Sequence, residues 1–439
     1  MNTDPRQTIA NSPMSTLQIV AVALTIGLNA LDGFDVLSMS FASPGILKEW
    51  GLTRAALGIV LSMELIGMAA GSLFLGGVAD RIGRRPTMLG CLVVMAGGMF
   101  MVTTTTSLVE LSLWRVVTGL GIGGMLAAIN AVAAEHSNAR RRNLSVALMA
   151  IGYPVGAVVG GLIVAQLLKD GGNWRSIFYF GSAVTAAFIP LVYFFVPETV
   201  SWLAQKRPEN ALDQINRVLK RMGHAVSSAL PVIAADAKKK SIVDLFAPGL
   251  LGTTVLVSLA YFTHITTFYY ILKWVPQIVV DMGFQASQAA GVLVWANVGG
   301  ALGGAAVGLL TQKFSLKALT MIVLLLSAVT VNVFGRGQAN LHDLSMICAV
   351  VGFCTNGAIV GLYAIFAQVF PTHVRASGTG FAIGTGRGGS VLASIIAGYL
   401  FTAGLGLQTV SSIMAMGSLL ALVCVIFLKI KPESVTSQQ

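Results

Sequence analysis

Long apolar runs separated by short polar segments make up most of this chain. A helix needs about 20 apolar residues to cross the hydrocarbon core of a bilayer. Twelve runs reach that length, and each is expected to be helical because a spanning helix satisfies its own backbone hydrogen bonds. The pattern therefore predicts an all-α integral membrane protein with twelve transmembrane helices. The predicted spans are residues 17–41, 55–78, 87–106, 111–134, 144–168, 176–196, 249–275, 287–311, 316–335, 344–369, 378–402 and 408–429.

Composition agrees with this pattern, because 55% of the residues are hydrophobic, 10% are charged and the mean hydropathy is +0.80. Such values exclude a soluble domain, and the spans leave no room for a separate catalytic domain. The longest polar segment divides the spans into two sets of six. We predict an N-terminal six-helix bundle at 1–196, a cytoplasmic linker at 197–248, and a C-terminal six-helix bundle with a short cytoplasmic tail at 249–439.

The net charge of +11 is explained by where the 28 lysines and arginines lie. Twenty occupy the termini and the loops after even-numbered spans, five occupy the opposite loops, and three fall inside spans. Positively charged loops face the cytoplasm, so both termini are predicted to be cytoplasmic. The basic charge reflects membrane topology and contact with the lipid bilayer, and no nucleic-acid partner is expected.

Two acids stand inside the first span, in the sequence Asp32-Gly33-Phe34-Asp35. A spacing of three places both side chains on one face of a helix. A charge near the bilayer centre costs on the order of 2.5 to 3.5 kcal/mol, so something must compensate it. One interpretation is a structural cluster paired with a basic residue of a neighbouring helix. The other is a hydrated site that takes up protons, a substrate, or both.

Basic groups inside the second half are the counterpart of these acids. Arg387 lies among glycines in span 11, and Lys273 lies in span 7 with His264. Because arginine keeps its charge, Arg387 requires an anion or water. A bound carboxylate meets that need, and the alternative is a fixed ion pair with Asp32 or Asp35. The aromatic residues Phe34, Tyr153 and Tyr269 are candidates for packing against the ring of a bound aromatic ligand.

A metal-dependent or nucleophilic membrane enzyme is the next class to consider. The five histidines are scattered without the spacing of metal ligands, and the four cysteines all lie in apolar spans. We therefore predict no metal site, no enzymatic activity and no cofactor apart from protons as coupling ions.

Residues 76–85, Gly-Gly-Val-Ala-Asp-Arg-Ile-Gly-Arg-Arg, are the most specific motif in the sequence. This stretch resembles the G-x-x-x-D-R-x-G-R-R signature of the major facilitator superfamily, which lies in the cytoplasmic loop between spans 2 and 3. The resemblance implies a gating loop that latches the two halves in the outward-facing state. Its members here are Gly76, Asp80, Arg81, Arg84 and Arg85. Gly76 is expected to allow a close approach between helices.

The second half carries a decayed copy of this motif. At an offset of 232 residues, Gln312 replaces the acid and Ser315 replaces a glycine. The second latch is therefore predicted to be weaker than the first. The same offset places His264 opposite Asp32.

Three other charged residues are possible participants in coupling. Arg115 resembles the basic residue common at this place in the superfamily, where it contributes to proton coupling, and the alternative is interfacial snorkelling. Glu64 lies in span 2, and Glu135 closes span 4 beside an arginine-rich loop. We favour a role in that loop for Glu135.

Together the Asp-Gly-x-Asp stretch, the loop signature and the glycine-flanked Arg387 resemble the aromatic acid:proton symporter family of that superfamily. The resemblance implies a bacterial inner-membrane protein that imports benzoate-type or hydroxybenzoate-type acids with protons by alternating access. It also implies that Asp32 and Asp35 are transport acids and that Arg387 is a basic residue of the cavity. A non-aromatic carboxylate cargo, shikimate-like or dicarboxylic, and a transporter-like membrane sensor are the alternatives. The expected partners are a small anionic carboxylate and protons, and a monomer is expected.

Overall fold

A computed structural model of the protein describes residues 4–231, 242–371 and 374–428. Over these residues the regular structure consists of fifteen α-helices and two short 3-10 helices. The α-helices are α1 (Pro5–Asn11), α2 (Thr16–Trp50), α3 (Arg54–Ile82), α4 (Arg84–Val102), α5 (Leu108–Glu135), α6 (Arg142–Leu167), α7 (Arg175–Phe195), α8 (Val200–Lys206), α9 (Ala211–Arg221), α10 (Leu251–Asp281), α11 (Ala286–Leu310), α12 (Leu316–Gly335), α13 (Leu341–Val369), α14 (Arg375–Thr402) and α15 (Leu407–Phe427).

The long helices, α2 to α7 and α10 to α15, each overlap one predicted span. Eleven of them are long and apolar enough to cross a membrane. The twelfth, α14, has 28 residues, which is ample length, but Arg387 and a series of glycines, serines and threonines make it more polar. The prediction of an all-α membrane protein with this helix order is confirmed.

The chain divides into two compact units. The N-terminal unit contains Met1–Trp50 and Met63–Ala237, and the C-terminal unit contains Gly51–Ser62 and Lys238–Gln439. The first turns of α3 thus group with the second half of the chain. Within that unit Arg54 pairs with Asp281 at 2.9 Å, and the Thr402 hydroxyl accepts a hydrogen bond from the backbone N–H of Ala55.

Equivalent helices pack together in the two units, as expected for a repeat. In the N-terminal unit α2 packs on α6, α4 on α5, and α4 on α7. In the C-terminal unit the corresponding pairs are α10 with α14, α12 with α13, and α12 with α15. The packing therefore retains a symmetry that the sequence has largely lost.

Glycines set the closest of these helix contacts. A Cβ atom at Gly156 of α6 would overlap the backbone carbonyl of Ala30 in α2. One at Gly389 of α14 would likewise meet the carbonyl oxygen of Phe262 in α10. Backbones approach this closely only where a side chain is absent, which is how small residues drive helix association in membranes.

The predicted linker is more than a simple connection, because its residues 197–231 contain α8 and α9 and belong to the N-terminal unit. Apolar residues of α9 recur at 211, 215, 218 and 219 and form one buried face. That face packs with α8 and with Ile9 of α1 in a small hydrophobic cluster. Residues 232–241 lie outside the described residues, and the end of the predicted linker contains a short 3-10 helix, Ile242–Phe246, in the C-terminal unit.

Replacing Gly156 with alanine should destabilise the N-terminal unit, because the added methyl group meets backbone that cannot rotate away. Overpacking of this kind costs about 1–3 kcal/mol. Gly90→Ala is the matched control, since Gly90 lies inside α4 and a Cβ there meets nothing within 4 Å. Thermal unfolding in detergent should give a lower midpoint for Gly156→Ala only. Equal midpoints for the two variants would contradict this account of the α2 and α6 contact.

Candidate functional site

Both acids of the first span are buried in the middle of α2. Asp32 is 2% exposed and Asp35 is 0% exposed. None of their four carboxylate oxygens has a hydrogen-bond partner among the described residues. The backbone carbonyl of Asp35 is occupied, because it accepts hydrogen bonds from the Ser38 hydroxyl at 2.7 Å and from Arg115 at 3.1 Å.

The basic residue of this unit, Arg115 of α5, pairs with Glu64 of α3. Both side chains are fully buried, so Arg115 does not snorkel to the interface. Its guanidinium also lies 5.5 Å from the centre of the Phe178 ring. Removing one partner of a buried ion pair strongly destabilises a protein. This pair therefore fixes α3 and α5 to each other at this level.

Among the described residues, the buried core of the N-terminal unit thus holds three acids, Asp32, Asp35 and Glu64, and one permanently charged base, Arg115, while the buried His136 lies just past the end of α5. One acid is neutralised by the ion pair. An unpaired buried carboxylate is costly unless it is protonated or meets a cation or water. The arrangement is chemically suited to binding and releasing protons.

The two aspartates have different surroundings. The Arg115 guanidinium lies beside Asp35, because it donates to the backbone carbonyl of that residue at 3.1 Å. No basic side chain hydrogen-bonds to the Asp32 carboxylate among the described residues. The sequence spacing places both acids on one face of the helix, and the helix packing gives them different surroundings.

Of the aromatic candidates, Phe34 lies in the packed interior of the N-terminal unit. It is 4% exposed and meets Phe180 edge to face at 5.5 Å. Its ring also fills the space beside Gly160 and Gly181. This environment favours a packing role for Phe34. Tyr153 of α6 and Tyr269 of α10 are partly exposed in their respective units.

Within the C-terminal unit, His264 is fully buried and uses both ring nitrogens. Nε2 lies 2.8 Å from the carbonyl oxygen of Thr355 in α13, and Nδ1 lies 3.0 Å from the Ser418 hydroxyl in α15. The first contact requires a proton on Nε2, so Nδ1 accepts from Ser418. His264 thus joins three helices, and this geometry favours a structural role over cargo binding. Lys273 is likewise fully buried in α10.

Arg387 of α14 is only partly buried. Within the C-terminal unit, none of the described acids forms an ion pair with it. Its permanent charge is therefore available to an anion there.

The signature loop forms a connected charge cluster at one end of the N-terminal unit. Asp80 pairs with Arg84 at 2.9 Å, and Arg84 also approaches Glu135 at 3.5 Å. Glu135 therefore lies with the loop and away from the buried acids. Asp80 keeps 69% of its side-chain surface exposed, while Arg81 is exposed in the last turn of α3.

Two residues that the sequence analysis did not assign complete this cluster. Glu198 accepts hydrogen bonds from the backbone N–H groups of Arg84 and Arg85, each at 3.1 Å. The indole of Trp202 donates to the backbone carbonyl of Asp80 at 3.0 Å. Burial raises the pKa of Glu198, and these hydrogen bonds together with Arg84 only partly oppose it. The Pro-Glu of residues 197 and 198 and the nearby tryptophan were the available signal.

The carboxylate of Glu198 caps the N-terminus of α4, where unpaired N–H groups favour an anion. Gly83 makes this possible, because its φ of 113° lies in a region open mainly to glycine and a Cβ would overlap Glu198 Oε2. The expectation that Gly76 allows a close approach between helices is wrong. A Cβ at Gly76 would meet only Ala127 at 3.9 Å, so close packing does not require this glycine.

Arg85 is held separately from Arg84. Its side chain donates to the carbonyl of Tyr193 at 2.6 Å and lies over that ring at 4.9 Å. The loop is therefore anchored to the end of α7 as well as to Glu198.

Comparison with known families agrees with this architecture. The family model described as Major Facilitator Superfamily matches residues 24–335 and 257–439, which together cover most of the chain. The protein belongs to the Major Facilitator Superfamily. The members of that superfamily that it resembles are transporters, so the prediction of a transporter and not an enzyme is confirmed.

Several similar facilitators are aromatic acid transporters, which agrees with the predicted aromatic acid:proton symporter family. The gallate transporter of Pseudomonas putida is 28% identical, with 96% of this chain and 94% of the relative aligned. The 4-hydroxybenzoate transporter PcaK of the same species is 29% identical over 96% and 95% of the two chains. The 3-(3-hydroxy-phenyl)propionate transporter of Escherichia coli is 30% identical over 91% and 92%.

Among solved structures, this facilitator resembles the D-xylose-proton symporter. The TM-score is 0.71 with 19% sequence identity, and the alignment covers 95% of this chain and 98% of the other. At that identity the likeness establishes the fold alone.

Glu198→Ala should lower the thermal stability of this facilitator, because two N–H groups of α4 lose their acceptor. Loss of a helix N-cap costs about 0.5–2 kcal/mol. Glu209→Ala is the control, since Glu209 is exposed at the start of α9. Unfolding midpoints of both variants in detergent provide the measurement. A Glu198→Ala midpoint equal to that of the wild type would exclude this capping role.

Proposed function

We propose that this facilitator is a symporter that imports a small aromatic carboxylate together with one or more protons, by alternating access. The cargo is of the benzoate or hydroxybenzoate type. The observation that carries the proposal is the buried charge imbalance among the described residues of the N-terminal unit, three acids against one permanently charged base. The relatives named above transport gallate, 4-hydroxybenzoate and hydroxyphenylpropionate, which supports the cargo class.

Proton uptake follows from the cost of this imbalance. Glu64 is balanced by Arg115, which leaves Asp32 and Asp35 without a hydrogen-bond partner for their carboxylates among the described residues. Protonation removes the charge and the cost of burying it. A change of conformation that admits water to these carboxyls would favour release of the proton. Two acids this close are expected to titrate as a coupled pair.

Asp32 is the stronger candidate for the carrier of the transported proton. The Arg115 guanidinium lies 3.1 Å from the backbone carbonyl of Asp35, so a permanent cation stands beside this acid and favours a carboxylate there. No basic side chain hydrogen-bonds to the Asp32 carboxylate among the described residues, so Asp32 is the better position for a bound proton. Asp35 then makes proton binding at Asp32 sensitive to the neighbouring ion pair.

Coupling to protons also suits the energetics of an anionic cargo. Moving one negative charge inward against an inside-negative potential costs about 2.3 kcal/mol per 100 mV. One accompanying proton makes the transported cargo electrically neutral, and further protons would add driving force. Arg387 supplies the positive charge that an anion needs at its binding site.

The signature loop is proposed to act as the gate, with Asp80 as the latch acid and Arg81, Arg84 and Arg85 as its basic members. The positively charged loops support a cytoplasmic position for this gate and for both termini, and the bacterial relatives support an inner-membrane location. We propose a monomer in the lipid bilayer as the transporting form.

Asp32→Asn should abolish accumulation of cargo driven by a pH gradient while preserving exchange. An amide cannot carry the proton, whereas exchange of cargo between loaded proteoliposomes and the outside needs no net proton movement. Gradient-driven uptake and counterflow of labelled 4-hydroxybenzoate provide the two measurements.

Asp35→Asn is the comparison variant. It should impair both gradient-driven uptake and counterflow, because it removes the carboxylate that lies beside the Arg115 guanidinium. Uphill transport by both variants would exclude proton coupling through this stretch. Loss of both processes in Asp32→Asn and of uphill transport alone in Asp35→Asn would reverse the assignment of carrier.

Asp80→Asn should nearly abolish transport without lowering expression or stability. The side chain is largely exposed, and an exposed ion pair contributes about 0–1 kcal/mol, so the loss would reflect gating and not folding. Gln312→Ala, at the equivalent position of the C-terminal half, should reduce the rate only mildly. Uptake rates normalised to reconstituted protein test both variants, and an equally severe loss in Gln312→Ala would contradict the predicted asymmetry.

A further inference from the structure

Two tyrosine hydroxyls are hydrogen-bonded to each other inside the C-terminal unit. The hydroxyl oxygens of Tyr261 in α10 and Tyr363 in α13 lie 2.9 Å apart. The centres of the two rings are 5.6 Å apart, and they lie 5.5 Å (Tyr261) and 5.8 Å (Tyr363) from the centre of the Phe366 ring. Phe366 is fully buried, so a rigid aromatic base fixes the position of both hydroxyls.

The third helix of this site is α14. Gly386 packs directly on the Tyr261 ring, so closely that a Cβ would overlap it. The next residue of α14 is Arg387. The close approach that Gly386 permits thus brings a permanent cation near the pair.

The hydrogen bond between Tyr261 and Tyr363 leaves one of their two O–H donors unused. Each phenol has one O–H donor, and a bond between two hydroxyls uses only one of them. Neither hydroxyl has another hydrogen-bond partner among the described residues. Tyr261 is 5% exposed and Tyr363 is 41% exposed. Tyr261 therefore satisfies its buried proton by donating to Tyr363, and the proton of Tyr363 is left for a ligand.

A free O–H donor next to a guanidinium is complementary to a carboxylate. The guanidinium provides charge and two parallel donors, and the phenol provides a third donor at a fixed position. We propose that Tyr261, Tyr363 and Arg387 form one carboxylate-binding corner, in which Tyr363 donates to the cargo, Tyr261 orients Tyr363, and Arg387 neutralises the charge. This inference rests on the proposed function and assigns the anionic end of the cargo to the C-terminal unit.

The corner makes a specific statement about selectivity. A neutral amide of the same ring can accept the phenolic hydrogen bond but lacks the charge that Arg387 requires. Discrimination between acid and amide should therefore depend on Arg387 and Tyr363 jointly. Arg387→Lys should restore only part of the affinity, because an ammonium lacks the planar fork of the guanidinium.

Equilibrium binding to the purified protein tests the corner without reference to protons or transport. Benzoate, 4-hydroxybenzoate and gallate are the ligands, benzamide is the neutral competitor, and binding is followed by ligand-induced thermal stabilisation. Tyr363→Phe should raise the dissociation constant for the acids by about 10-fold, the loss of a hydrogen bond to a charged group. Benzamide accepts the same hydrogen bond through an uncharged oxygen, so its dissociation constant should rise by a smaller factor than those of the acids.

Tyr270→Phe is the matched control. Tyr270 lies on α10, the helix of Tyr261. It is fully buried and its hydroxyl is hydrogen-bonded to the Ser411 hydroxyl at 2.8 Å. It contacts α15 and lies outside the corner, so its replacement should leave the affinity for acids unchanged. Equal weakening by Tyr270→Phe and Tyr363→Phe would mean that loss of any tyrosine hydroxyl in the C-terminal unit has this effect, and the corner would be rejected.

A double variant separates a shared ligand from two independent effects. If Arg387 and Tyr363 hold the same carboxylate, Tyr363→Phe should weaken binding less in an Arg387→Ala protein than in the wild type. Additive effects would overturn the corner. Should Tyr363→Phe fail to fold, Tyr261→Phe takes its place, with an expected loss of about 3-fold because a net neutral hydrogen bond is weaker.

The outcomes distinguish this inference from the proposed function. If the wild type binds none of the three acids, the proposed cargo class is wrong. If the wild type binds them and Tyr363→Phe binds equally well, the cargo class stands and the corner is wrong.

Discussion

The buried ion pair between Arg115 and Glu64 is the interaction on which the N-terminal unit depends. Arg115 is the one buried arginine among the described residues of that unit, and this pairing takes it out of reach as a partner for Asp32. The two aspartates then remain as uncompensated acids in a segment that must lie in lipid. Because a bilayer supplies no water to stabilise them, their charge state is tied to protonation and to conformation. A structural pair thus creates the condition that a proton-coupled carrier requires.

Much of the fold was predictable because the bilayer imposes a strict length and polarity on each helix. The twelve predicted runs agree with the long helices, although α2 continues to Trp50, nine residues beyond its predicted end. The helices of the linker were missed. Their signal was present in the apolar positions 211, 215, 218 and 219 of α9, which follow a helical period inside a segment whose overall composition is polar.

The sequence indicates which charged residues are candidates for the site, but it does not indicate which of them pair with each other. Sequence indicates that Arg387 and the acids need partners, since charges in apolar spans are costly. It does not give the rotation and height of one helix against another, so the choice of Glu64 over Asp35 as the partner of Arg115 required the packed structure. The same limit applies to Glu198, whose role depends on the backbone N–H groups of Arg84 and Arg85 meeting it in space.

Unequal decay of the repeat gives the two units complementary chemistry. The position equivalent to Asp32 is His264, whose ring is hydrogen-bonded to Thr355 and Ser418, so the C-terminal unit has an imidazole and not an acid at this position. In exchange it keeps Arg387 without an acidic partner of its own unit among the described residues. In the function proposed above, one unit binds protons and the other binds an anion. Each ligand would then neutralise a charge that is costly in the membrane, and a conformational change that moves the charge through apolar surroundings would be favoured only when both ligands are bound. Obligatory coupling would follow from this division of charge between the units.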